Sequence, residues 1–227
     1  MNHPPRAEAA TPPTRIQRNI LARGERLVLN WLCARLPAWV TPDRLTTLGF
    51  AGAVMVAAGY MLSWIDDEWL GLSLAGFVVN WFGDSLDGSL ARWRRIERPT
   101  YGYFVDHSVD GMAIFLIVGG IGLSPYMRFD VALIAVIGYL LLAIHTFLGA
   151  KVLGEFRLSY MAGGPTEMRL MLMAMTALMP VVGAADIGRS NFSAFDLFGL
   201  FVASILVTLF VVQSFATARL LARRERA

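Results

Sequence analysis

The sequence predicts an all-α membrane protein: six transmembrane helices preceded by an amphipathic helix at the membrane interface. Hydrophobic residues make up 56% of the 227-residue chain and charged residues only 16%, a balance that soluble domains rarely show. Six apolar windows, near 45–64, 68–91, 103–123, 130–152, 167–187 and 195–218, approach the roughly 20 residues needed to cross a bilayer. All of the 20 Lys and Arg residues except Arg128 and Arg189 fall on connections that six successive spans place on one side.

Residues 1–13 are rich in Pro and Ala with little periodic apolar content, which predicts a flexible tail without a cleavable signal pattern. From 14 to 40, arginines interleave with apolar residues at helical spacing. Ile16, Ile20, Leu27, Trp31 and Leu32 share one broad face, so this segment is expected to lie as a juxtamembrane helix with its arginines toward anionic headgroups. Residues 41–227 hold the six spans. The fifth carries Pro180, with Gly183 after it, and a kinked membrane helix tolerates both. The arginine bias places both termini in the cytoplasm. Trp64, Trp69, Trp81 and Trp93 fall near span ends, where aromatic rings anchor. Cys33 is the single cysteine, which excludes an internal disulfide and leaves an apolar packing role. No nucleic-acid motif is present, and the net charge of +3 fits inner-leaflet anchoring.

Against this apolar background stand Asp84 with Asp87 and Asp106 with Asp110, at neighbouring ends of the second and third spans. An aspartate at the centre of a membrane helix costs roughly 3 kcal/mol or more, so four of them call for compensation. Spacings of three and four put each pair on one face of its helix, because a turn takes about 3.6 residues. If the two helices are antiparallel neighbours, all four carboxylates meet in one pocket. Such hard oxygen ligands suit magnesium, manganese or calcium rather than zinc. Gly88 and Ala91 continue the stripe of Asp84 and Asp87, leaving room for a ligand near the backbone, and Arg92 adds a permanent charge shaped for phosphate oxygens.

The pattern is Asp, two residues, Asp-Gly, two residues, Ala-Arg, nine residues, Gly, three residues, Asp, three residues, Asp. It resembles the signature of the CDP-alcohol phosphotransferase family, with Asp84, Asp87, Gly88, Ala91, Arg92, Gly102, Asp106 and Asp110 at the defining positions. Thr41, Pro42, Asp43, Leu45 and Thr46 are similar to the family's entry to its first membrane helix, with Asp43 where an asparagine is usual. The resemblance implies an enzyme of phospholipid synthesis with its catalytic domain over 41–227. An acceptor hydroxyl attacks the phosphorus of a CDP-alcohol, CMP departs, and one of the two substrates is a lipid.

It further implies magnesium or manganese, two ions together, held by Asp84, Asp87, Asp106 and Asp110, with Asp110 also the base. Gly88, Ala91, Arg92 and Gly102 are implied to line the CDP moiety, with Thr46 a further candidate for the cytidine pocket. A cytoplasm-facing site and a homodimer are implied as well. Candidate acceptor-side residues are His107, Arg157, Glu167 and Arg169. Gly119, Gly120 and Gly122 permit close helix packing. Arg94, Arg95 and Arg98 suit either phosphate or topology.

Two substrate directions exist in the family: CDP-diacylglycerol with a polar alcohol, or CDP-choline or CDP-ethanolamine with diacylglycerol. The run Asp106, His107, Ser108, Val109, Asp110 is similar to the second group, while the compact length is more like the first. His107 and Gly111 replace the Pro and Lys of glycerol phosphate enzymes, which disfavours phosphatidylglycerol phosphate synthesis. A divalent cation transporter also places acids inside a bundle, but transport does not require Gly88, Ala91 and Arg92 at fixed spacing.

Overall fold

A computed structural model describes residues 14–16, 22–153, 155–157, 165–185 and 191–226, and the expected tail at 1–13 lies outside them. Strand β1 (Thr14–Ile16) precedes helix α1 (Ala22–Cys33), followed by α2 (Pro42–Leu62), a 3-10 turn (Asp67–Trp69), α3 (Leu70–Arg94) and α4 (Pro99–Gly122). Then come α5 (Phe129–Leu153), strand β2 (Glu155–Arg157), α6 (Pro165–Val182) and α7 (Ala194–Arg224). Six long helices, α2 to α7, overlie the six expected windows.

The interfacial segment departs from expectation. The helix starts at Ala22, and Thr14–Ile16 pair in parallel with Glu155–Arg157. Two of the three β1 residues are β-branched, which suits a strand better than a helix.

Among the described residues four helices, α2, α4, α5 and α7, are long and apolar enough to cross a membrane by length and composition. The chain is a multi-pass membrane protein. The other two long helices miss that measure for a chemical reason: α3 carries Asp84, Asp87, Arg92 and Arg94, and the 18-residue α6 carries Glu167 and Arg169. Apolar side chains on the outer surfaces, such as Phe115, Ile137, Phe201 and Phe215, are exposed as lipid contact requires.

Local signals set the helix ends. Thr41 caps α2, its hydroxyl accepting from the Arg44 amide at 3.3 Å, with Pro42 in the first turn. At the far end of α3, Arg95 adopts a left-handed conformation with φ 57°. The Arg95 amide donates to the Arg92 carbonyl at 3.1 Å, and the Ile96 amide donates to the Ala91 carbonyl at 3.0 Å. This Schellman closure stops α3, and Pro99 opens α4 a few residues later. The tight reversal makes α3 and α4 successive helices joined at their acidic ends.

Helices α2 and α3 make the closest pairing. A Cβ on Gly83 would fall inside the contact distance of the Gly49 backbone and the Leu45 carbonyl. Two bare backbones therefore touch where α3 begins its acidic stretch. Buried Val56, Tyr60, Phe77, Ile121, Val131 and Met179 fill the main core, and the Tyr60 hydroxyl shares a 2.5 Å hydrogen bond with Thr176 of α6. A second cluster, Leu29, Cys33, Val40, Leu45, Leu86 and Leu90, seats α1 against α2 and α3. Of the glycines expected to admit close packing, Gly120 meets Ala57 and Gly122 meets Phe129 and Ala132 within the chain.

Gly83→Val should lower the unfolding temperature of the detergent-purified protein, reflecting an overpacking cost of about 1–3 kcal/mol. Gly119→Val, whose added atoms meet nothing within 4 Å, should leave it unchanged.

Candidate functional site

The four aspartates line one cleft with Thr46, Gly49 and Phe50 of α2, Asn80 of α3, and Val109 and Ala113 of α4. Asp87 is buried, while Asp84, Asp106 and Asp110 are half-buried. The Asp110 carboxyl abuts that of Asp84, and the charges of Asp84 and Asp106 bear on both Asp87 and Asp110. At such spacing, partly shielded from water, like charges repel more strongly than on an open surface.

Each carboxylate of α3 has its own support. Asp84 Oδ2 accepts from Arg169 Nη2 at 2.9 Å, with the two side chains 26% and 13% exposed. Arg169 Nε donates to Asn80 Oδ1 at 3.0 Å, and Asn80 Nδ2 donates to the Gly49 carbonyl at 2.9 Å. One chain of contacts thus crosses from α6 through α3 to α2. Arg169 Nη1 is buried without a hydrogen-bond partner among the described residues. On the other acid, Asp87 Oδ2 accepts from the Thr46 hydroxyl at 2.6 Å and Oδ1 accepts from the Gly88 amide at 2.5 Å. Loss of Thr46 would leave a buried carboxylate with less of its solvation replaced.

On α4, His107 Nδ1 lies 3.2 Å from Asp106 Oδ2. The ring stands edge-on to Tyr103, with centroids 4.3 Å apart, and stacks on Phe147 of α5 at 5.3 Å. Asp106, His107 and Asp110 can each place one ligand atom within 4.8 Å of the others. Two carboxylates and one imidazole there could hold a metal ion, and Asp84 and Asp87 in the same cleft add oxygen donors of the kind hard divalent ions take.

The remaining expected residues distribute less evenly. Gly88, Ala91 and Arg92 follow the cleft toward the end of α3 and do not line it. Arg92 is exposed, its Nη2 donating to Ser89 Oγ at 3.3 Å, and a Cβ on Gly88 would come 3.3 Å from its Nη1. Gly102 lies exposed in the first turn of α4, where an added Cβ would meet nothing within 4 Å. Glu167 is half-buried in the first turn of α6, two residues and so about half a helical turn before Arg169. The Arg157 backbone forms part of β2, and its side chain lies outside the described residues.

Arg94 has a structural task. Its Nη1 donates to the Val40 carbonyl at 2.5 Å, and its Nη2 donates to the carbonyls of Leu36 and Pro37 at 3.0 and 2.9 Å. The guanidinium ties the α1–α2 connection to the end of α3. Arg98 pairs with Asp43 and lies over the Tyr101 ring.

Asn80 was not singled out by its sequence context, although it precedes Asp84 by four residues and so shares its helix face. Glu25 carries no such cue, and Trp81, expected as an anchor near a span end, turns its indole N–H to Glu25. Glu25 Oε1 accepts from Thr166 Oγ1 at 2.8 Å, Trp81 Nε1 at 3.0 Å and Ser85 Oγ at 3.4 Å, drawing α1, α3 and α6 together beside the cleft. No local pattern marks partners on helices as distant in the chain as α3 and α6.

Comparison with known proteins places residues 39–222 within a family model described as CDP-alcohol phosphatidyltransferase. The chain is similar to cholinephosphotransferase 1 of Danio rerio, 33% identical over 112 residues, or 44% of this chain and 29% of that protein. It is also similar to archaetidylinositol phosphate synthase of Pyrococcus horikoshii, 33% identical over 99 residues, or 44% of this chain and 50% of that protein. The matched stretches span half or less of each relative's length.

Arg94→Ala should destabilise the protein by about 2 kcal/mol, because carbonyls satisfied by a charged donor lose it. Faster proteolysis within residues 36–40, with divalent-ion binding retained, would show that Arg94 acts on the connection and not on the cleft.

Proposed function

The chain belongs to the CDP-alcohol phosphatidyltransferase family, and on that premise we propose that it transfers a substituted phosphate from a CDP-alcohol to an acceptor alcohol, releasing CMP. The single observation that carries this reading is the convergence of Asp84, Asp87, Asp106 and Asp110 on one cleft between α3 and α4. Their oxygen donors suit magnesium or manganese, and four carboxylates offer enough negative charge for two divalent ions. When bound, such ions neutralise the pyrophosphate and the charge that develops on the leaving phosphate.

The chain's own residues supply the rest. Asp110 accepts the proton of the acceptor hydroxyl as its oxygen bonds to the phosphorus. The bond between that phosphorus and the oxygen left on CMP breaks in line. Thr46 and the Gly88 amide hold the Asp87 carboxylate in one orientation, and Arg169 with Asn80 holds that of Asp84. The buried Arg169 Nη1, without a partner among the described residues, can donate to an anionic substrate oxygen. Arg92, with Gly88, Ala91 and Gly102 nearby, takes the CDP moiety as it enters from the loop end of the cleft, and His107 and Glu167 face the acceptor.

In this reading α3 and α6 also cross the membrane, giving six spans. Asn80, Asp84 and Arg169 satisfy one another and the α2 backbone inside the bundle, while Arg92 lies at the end of its helix. Arginine placement sets the cleft and both termini toward the cytoplasm. The working unit is a homodimer. One relative is named a cholinephosphotransferase and the other a synthase of archaetidylinositol phosphate, so the two names do not select one substrate direction for this chain. One of the two substrates is a lipid in either case.

The purified full chain, assayed with a panel of CDP-alcohols and acceptors, should release CMP with one pairing, lose that activity in EDTA and recover it with magnesium or manganese. Asp110→Asn should reduce CMP release by about 10²–10⁴-fold with folding intact. Full activity in that variant removes Asp110 as the base. Manganese uptake into vesicles without CMP release would instead mark a transporter.

A further inference from the structure

We propose that Glu25, on the juxtamembrane helix α1, is a positioning residue that sets the first turn of α6 so that Arg169 meets Asp84. This rests on the reading of Asp84 as part of a divalent-ion site.

Two ties join α3 to α6, one above the other. In the first, Glu25 stands between the helices and accepts from Trp81 and Ser85 on one side and from Thr166 on the other. In the second, Arg169 of α6 donates to Asn80 and Asp84 of α3. The residues interleave: Trp81 follows Asn80, Ser85 follows Asp84, and Thr166 lies three residues before Arg169, on the same face of its helix. A displacement of the Thr166 turn is therefore carried directly to the Arg169 guanidinium. Glu25 is half-buried, and a carboxylate with three donors on one oxygen is held more firmly than a surface ion pair. Its own helix is fixed by burial of Leu29 and Cys33 against α2 and α3, while Leu27 and Trp31 remain exposed.

The electrostatic consequence has a definite sign. A guanidinium within hydrogen-bond range of Asp84 repels a divalent cation approaching the same cleft. Releasing Thr166 frees Arg169 to withdraw, so the cation should bind more tightly. A residue that only stabilises α1 would not change cation affinity through Arg169.

The test is manganese binding to the full-length chain in detergent, followed by electron paramagnetic resonance of free manganese. Arg169→Gln should bind manganese about tenfold tighter than wild type, and Glu25→Ala about threefold tighter. Thr166→Val, which removes the α6 donor and leaves α1 untouched, should match Glu25→Ala. Glu25→Gln keeps an acceptor oxygen and should stay close to wild type. Since Glu25 acts through Arg169, the double variant Glu25→Ala/Arg169→Gln should equal Arg169→Gln alone, a non-additivity that independent sites do not show.

Unchanged affinity in both Glu25→Ala and Thr166→Val, or additive effects in the double variant, overturns the inference. An unchanged Arg169→Gln does the same. If wild type fails to bind manganese, or Asp87→Asn binds as wild type does, the divalent-site reading has failed and this inference falls with it.

Discussion

The structure turns on gathering four carboxylates inside a bundle whose other helices are made for hydrocarbon. Like charges at this spacing repel, and partial removal from water raises the cost. The protein meets it with one guanidinium on Asp84 and with hydroxyl and amide donors on Asp87. Among the described residues one guanidinium stands against four carboxyls, an imbalance that a bound cation would offset. Charge and oxygen donors thus arise from the same residues.

Packing makes that concentration possible. The contact of Gly83 with the Gly49 backbone brings α2 against α3, and this approach lets Thr46 reach Asp87 and Asn80 reach the Gly49 carbonyl. The Schellman closure at Arg95 then reverses the chain, so that Asp106 and Asp110 return to the same level on α4. Helix α6 reaches the acids through the Arg169 contact with Asp84, while Tyr60 and Thr176 join α2 to α6 elsewhere in the bundle.

Much of this was legible in the chain. The apolar windows located six long helices, and the three- and four-residue spacings placed each aspartate pair on one helix face. Convergence followed because the α3–α4 connection is short. What stayed hidden were partners set by tertiary register: Arg169 on Asp84, Glu25 on Thr166, and the Arg94 fork on the carbonyls of residues 36–40. Side-chain periodicity reports which face of a helix is polar and is silent on which distant helix covers it. The pairing of Thr14–Ile16 with Glu155–Arg157 escaped for the same reason, since three-residue strands carry almost no periodic signal.

The most direct measurement is calorimetric binding of cytidine diphosphate to the full chain in detergent, with and without manganese, for wild type, Asp87→Asn and Asp106→Asn. If the acids hold the ion that receives the pyrophosphate, the nucleotide binds wild type only when manganese is present, and each substitution removes that binding. Equal binding without manganese, or undiminished binding in both variants, would contradict a metal-bound nucleotide site at this cleft.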